Sequence, residues 1–165
     1  MTEELKPHSN KKDYLSNKYL NLSQQEILDL AVKVVVHPTY GWLTTSLILY
    51  GCRPVETFSL IPMSNGKASV INFNENPIKN KRREVLANPL DFVDKLNICD
   101  QISQPVFYEN FEDYNFDELN TIISNWNSWF RSIKSHLVLD DLRVYWKKRM
   151  LIDGFSSKCV ARYMG

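Results

Sequence analysis

The sequence is short of the residues that build metal and disulfide sites. Its three cysteines, Cys52, Cys99 and Cys159, lie far apart without CxxC spacing, and its three histidines, His8, His37 and His136, form no cluster. That scatter argues against a disulfide scaffold or a zinc site and suits a reducing compartment. No apolar run approaches the length of a membrane span. The opening "MTEELKPHSNKKDYLSNKY" is polar and lacks the apolar core of a secretory signal. An excess of one charge is missing too. The net charge is +1, so affinity for a polyanion has to come from a local patch. The expectation is a soluble, cytoplasmic protein with no membrane partner.

What is present is an ordinary globular composition: 44% hydrophobic and 24% charged residues in a chain of 165, enough for one domain with a core. The charges are segregated. Lys67, Lys79, Lys81, Arg82 and Arg83 crowd one region against only Glu75 and Glu84, whereas "ENFEDYNFDE" (109–118) is acidic.

Residues 1–22 read as a loosely docked lead-in and 23–165 as the folded unit. Ser23 with Glu26 three residues later forms a capping box, and Ile27, Leu28, Leu30, Ala31, Val34 and Val35 follow at helical spacing, so a helix is expected over about 24–36, ended by Pro38. A second spans about 39–50 and stops at Gly51, and Pro54 opens a short third, "PVETFSLI". "GKASVINFN" (66–74) and "REVLA" (83–87) read as strands of a two- or three-stranded antiparallel sheet, joined by the basic turn "ENPIKNKR". "PLDFVDKLNI" (89–98) reads as a helix. "NFDELNTIISNWNSWFRSI" reads as a longer one, capped by Asn115 and Glu118, with a stripe of Phe116, Leu119, Ile122, Ile123, Trp126, Trp129, Phe130 and Ile133 that is core by spacing. A helix carrying Arg143 ends near Gly154, and a last one covers about 156–164. The fold class is mainly α with a small antiparallel sheet (α+β).

Three stretches carry candidate chemistry. In "YGCRPVETFSL" (50–60), Arg53 stands in a junction between helices, and Glu56 one turn on is placed either to fix its guanidinium toward a cleft or simply to form a structural ion pair. In "PIKNKRREV" (77–85), Lys79, Lys81, Arg82 and Arg83 place four cations in five positions, which favours a polyanion partner, although a lysine at a turn is ordinarily just solvated. In "LVLDDLRVYWKKRM" (137–150), Arg143 follows Asp140 and Asp141 and precedes Lys147, Lys148 and Arg149. Two arginines from separate elements can fork onto the non-bridging oxygens of one phosphodiester, and a nearby lysine can protonate a leaving oxygen.

Taken in order, "YGCRPVETFSL", "PIKNKRREV" and "DDLRVYWKKRMLIDGFSSKCVARYMG" resemble the catalytic domain of the tyrosine recombinases, the phage-type integrases. The first resembles the family's G-x-R-x-x-E-x-x-x-L box, so that Arg53 matches the first catalytic arginine and Glu56 its acidic companion. The second resembles K-T-G-x-R-x-V, departing at Asn80 and Lys81, with Lys79 at the catalytic lysine. The third resembles H-D-L-R-H…G…A…MGH. Asp141, Leu142, Arg143, Gly154, Ala161, Met164 and Gly165 fit, Arg143 matches the second catalytic arginine, and Asp140 stands where the family has histidine. "LSQQEILDL" is similar to the helix that commonly opens this domain. The resemblance covers roughly 22–165.

The resemblance implies a helical fold of the DNA breaking-rejoining type, double-stranded DNA as partner, and a role in DNA integration and recombination. It implies a clamp of Arg53 and Arg143 with Lys79 as acid, and no cofactor or metal. Lys67, Lys81, Arg82, Arg83, Lys147 and Lys148 are the expected DNA contacts. An ionised Asp140 cannot donate to a phosphate and repels it. His136, one turn earlier, reads as a partly buried histidine rather than a substitute. The sequence stops at Met164-Gly165, where the family continues to its nucleophilic tyrosine, and neither Tyr145 nor Tyr163 matches that place. The expectation is therefore a C-terminally truncated recombinase-like unit that binds DNA without cleaving it. Two alternatives stay open: a DNA-binding regulator or partner subunit of a full-length recombinase or of a homo-oligomer, and a helical interaction module that does not bind DNA.

Overall fold

A computed structural model of the protein describes residues 22–63, 66–71, 82–87 and 115–165. The described residues are 64% helical, with one three-stranded antiparallel sheet. The lead-in up to residue 21, the turn holding Lys79 and Lys81, the helix expected over 89–98 and Cys99 lie outside them.

Helix α1, Gln24–Val35, starts with the reciprocal cap its sequence specifies. The Glu26 N–H donates to Ser23 Oγ at 3.2 Å, and the Ser23 N–H donates to the Glu26 carboxylate at 2.7 Å. Ile27, Leu30, Ala31 and Val34 form its buried face. Its end is joined to helix α2, Tyr40–Tyr50, by His37, whose Nδ1 accepts the N–H groups of Thr39 and Tyr40 at 3.2 and 2.9 Å. Those donors have no partner inside the helix, so the histidine supplies one. Helix α2 is buried from Gly41 to Tyr50. A helix buried on all sides, with its threonine hydroxyls bonded, belongs in the middle of a core; α1 and helix α5, Leu139–Ile152, pack against it. It stops at Gly51, where φ is +60° and an added Cβ would lie 2.4 Å from the Trp146 ring. Both the left-handed turn and the close approach require glycine there.

Helix α3, Pro54–Thr57, is shorter than the eight residues expected, and Ile61–Pro62 is a strand, β1. The change of direction is made by Ser59. Its hydroxyl donates to the Glu56 carbonyl and accepts the Ile71 N–H at 2.8 Å, tying the helix end to strand β2, Lys67–Ile71. β1, β2 and β3, Arg82–Leu86, are antiparallel in sequence order, with Ala68 opposite Val85 and Val70 opposite Arg83. Ala68, Val70 and Val85 are buried, so this register turns Arg83 inward with them.

Helix α4, Phe116–Ile133, has the expected Asn115–Glu118 capping box and buries Leu119, Trp126 and Phe130. Ile122, Ile123, Trp129 and Ile133 pack partly buried on the same core. Phe116 does not: at the first helical position it remains 57% exposed. Helix α6, Ser157–Met164, packs on α5 and β3 through a small second cluster of Trp146, Met150 and Val160, joined by Leu86, Tyr163 and Met164.

Candidate functional site

Arg53, Arg83 and Arg143 reach one place from three elements. Arg53 precedes α3, in extended conformation, and its guanidinium donates to the Gly165 carbonyl at 3.3 Å. Arg143, on the second turn of α5, donates from Nε to the Gly51 carbonyl at 3.2 Å and from Nη2 to the Met164 carbonyl. Arg83 on β3 donates to the Tyr163 carbonyl and, at 3.2 Å, to the Met164 carbonyl. Three guanidinium groups thus gather around consecutive carbonyl oxygens at the end of α6.

One buried carboxylate ties Arg83 to the start of α3. Glu56, 1% exposed, takes a two-pronged bond from Arg83 at 2.7 and 3.2 Å. Its other bond is from the backbone N–H of Arg53 at 2.7 Å. The expected Arg53–Glu56 side-chain pair is thereby replaced. At the third helical position the carboxylate curls back to the chain, as in a capping box, and its remaining capacity faces the inward Arg83, which leaves Arg53's guanidinium free of it.

Charge at this corner is unbalanced. Burial holds Arg143 below its usual basicity, Arg53 and then Arg83 add repulsion, and Glu56 and Asp140 oppose the shift. An arginine keeps its proton under such pressure, so the corner stays cationic. Asp140 is exposed in the first turn of α5. Asp141 is spent as a helix cap, accepting the Val138 N–H at 2.8 Å. Cys52, fully buried between Gly51 and Arg53, has its thiol pushed far up, first by burial and then by Glu56. It is no nucleophile at physiological pH.

The remaining cations divide. Lys67 forms an exposed ion pair with Glu84 at 3.0 Å; that pair, assisted by Tyr163, raises its pKa, while Arg162 opposes. Arg82 donates to the Ser59 carbonyl at 3.1 Å and to Ser69 Oγ at 3.3 Å, binding β3 to the turn after α3 and to β2. Lys147 is exposed one helical turn beyond Arg143, on the same face. Lys148 instead lines a cavity of about 510 Å³ with Leu22, Gln24, Tyr145 and Arg149. His136 is exposed in the turn before α5 rather than partly buried. Among the described residues no group of three His, Cys, Asp or Glu side chains is placed to hold a metal, and no helix is long and apolar enough to cross a membrane.

The motif pattern places Arg83 among the DNA contacts, and the structure turns it into the cluster. The signal was the alternation in "RREVL": an inward Val85 requires an inward Arg83 two residues earlier. No protein-family model matches the chain, and neither a curated protein nor a solved structure matches it significantly.

Proposed function

We propose that the chain is a DNA-binding unit of tyrosine-recombinase type, serving DNA integration and recombination, in which Arg53 and Arg143 hold one backbone phosphate. The supporting observation is convergence. Two arginines far apart in sequence, picked out by family resemblance, donate to the neighbouring carbonyls of Met164 and Gly165. A set of donors aimed at oxygen, with three cations against one buried carboxylate, is complementary to an anion. Exposed Lys147 extends the positive surface, and Lys79 is assigned the proton-donor role on resemblance alone.

Cleavage by the chain itself is not part of the proposal. Tyr145 is buried in the core, Tyr163 packs partly buried on the Trp146 cluster, and neither matches the place of the family's nucleophile. A second reading rests on the same bonds: the arginines act only as a structural cap for the end of α6, and the protein is a helical interaction module.

Changing both Arg53 and Arg143 to Glu separates the two. On the DNA-binding reading, gel retention of duplex DNA at low salt is lost. On the structural reading the protein never retains DNA, or does so equally well with both arginines reversed. Supercoiled plasmid stays supercoiled with the purified chain; its relaxation would contradict the non-cleaving assignment.

A further inference from the structure

We propose that residues 163–165 are a displaceable internal occupant of the arginine cluster, so that the site is self-blocked in the free protein and opens when a phosphodiester replaces the carbonyls. This rests on the DNA-binding reading and adds to it a regulation of the same site.

Three observations carry it. First, the donors are already used. Arg53, Arg83 and Arg143 bond the carbonyls of Tyr163, Met164 and Gly165, and an incoming phosphate oxygen needs those same donors. The last carbonyls of a helix, here those of Tyr163 and Met164, lack partners within it and together carry only a fraction of a negative charge. A phosphodiester carries a full one, and hydrogen bonds to an ionised acceptor are the stronger. The Tyr163 and Met164 carbonyls on Arg83 and Arg143 are thus a weaker version of the ligand.

Second, the occupant is lightly anchored. In α6 only Val160 is buried, while Ser157, Lys158, Ala161 and Arg162 are exposed, and Tyr163 and Met164 are partly covered. Val160 belongs to a small cluster with Trp146 and Met150 that is separate from the main core cluster, so displacing the end of this helix uncovers little of the main core.

Third, the seat is closely fitted at Gly165. Its φ is +76°, and an added Cβ would stand 2.8 Å from Arg83 Nε and 2.9 Å from Arg83 Cζ. An alanine there strains the backbone and presses on the guanidinium, so it unseats the segment without removing a positive charge.

The test compares the full chain with Gly165→Ala and, separately, Val160→Ala, which loosens the apolar anchor and leaves all three arginines untouched. Affinity for a labelled 20-base-pair duplex is measured by fluorescence anisotropy at fixed salt. Amide exchange of α6 is followed by mass spectrometry with and without that duplex. Both variants are expected to bind the duplex about three- to tenfold more tightly, the shift produced when roughly one factor of ten is removed from a blocked equilibrium. In the unaltered chain, adding duplex should speed exchange in α6. Equal or weaker binding by both variants, or α6 exchange unchanged or slowed by DNA, overturns the self-blocking. If none of the three proteins binds the duplex, the DNA-binding reading itself has failed and the self-blocking falls with it.

Discussion

Two places where the described residues bury polar groups deal with them differently. Beside α2 the buried contact is neutral: the Trp126 Nε1–H donates to Thr44 Oγ1 at 2.9 Å, and the threonine hydroxyl donates in turn to the Tyr40 carbonyl at 2.7 Å. Every polar atom in that chain has a partner, Phe58 meets the indole edge-on, and the ring is fully buried. At the other end of α2, beyond Gly51, three guanidinium groups gather on a few backbone carbonyls, and only that of Arg83 bonds the one buried carboxylate. The first arrangement is what a stable core needs. The second keeps like charges together at a cost in electrostatic energy, and structure alone does not require that cost, because a neutral donor suffices to cap a helix end. The contrast between a satisfied neutral pair and an over-charged corner is the physical ground for the proposed phosphate-binding role of the corner.

The largest expected effect falls on the neutral side. Trp126→Ala removes a fully buried indole and orphans Thr44, and it should lower unfolding stability by about 3–5 kcal/mol in a denaturant titration. A loss under 1 kcal/mol would mean that α4 is not packed on α2 as described. Next comes Glu56→Gln, which leaves Arg83 without its ionic partner. Stability should fall by about 2–3 kcal/mol, less than for a fully enclosed pair because Arg83 keeps carbonyl acceptors and some solvent. Duplex affinity should rise in the same protein, since a negative charge has left the cluster. A fall in both would make Glu56 a positioning group first and a charge balance second.

A smaller effect belongs to the start of α1, remote from the corner. Ser23→Ala should cost about 1 kcal/mol. The Ser23 backbone N–H, and next its hydroxyl, hold the Glu26 carboxyl below its ordinary value. The contribution of Glu26 is therefore present above the ordinary carboxylate range and is lost as pH falls through the depressed folded-state value. The difference between the unaltered chain and Glu26→Gln should accordingly be seen at neutral pH and vanish in acid, and a difference that grows in acid would contradict the cap. The smallest change is chemical rather than energetic. Cys52, buried with a raised thiol pKa, should resist alkylation at pH 8 in the native protein and react on unfolding, as read by peptide mapping.

What could be read from sequence was local. Ser23 with Glu26, Asn115 with Glu118, and Gly51 act within a few residues of themselves, so the starts of α1 and α4 and the end of α2 followed directly from their patterns. The strand at Ile61–Pro62 did not, because it exists through pairing with Ala68 and Ser69 and through the Ser59 bond to Ile71. Phe116 satisfied the helical spacing but sits at the helix's first position, where the stripe has already left the core. At the corner, family resemblance selected Arg53 and Arg143, and the structure brings them to adjacent carbonyls. Local spacing suggested Arg53 as the partner of Glu56, while the register Val70 opposite Arg83 chose Arg83 instead. Choices between two nearby cations are made by tertiary register, which no short window contains.

The central claim is that the corner binds phosphate through its arginines, and its most direct test is the salt dependence of duplex binding. Anisotropy titrations from low to moderate salt give a slope of log affinity against log salt concentration, which loses about 0.9 for each phosphate contact removed. Arg143→Gln is expected to weaken binding and to reduce the magnitude of that slope by about one. An unchanged slope, with affinity equal to that of the unaltered chain, would show that Arg143 touches no phosphate and that the cluster only caps a helix.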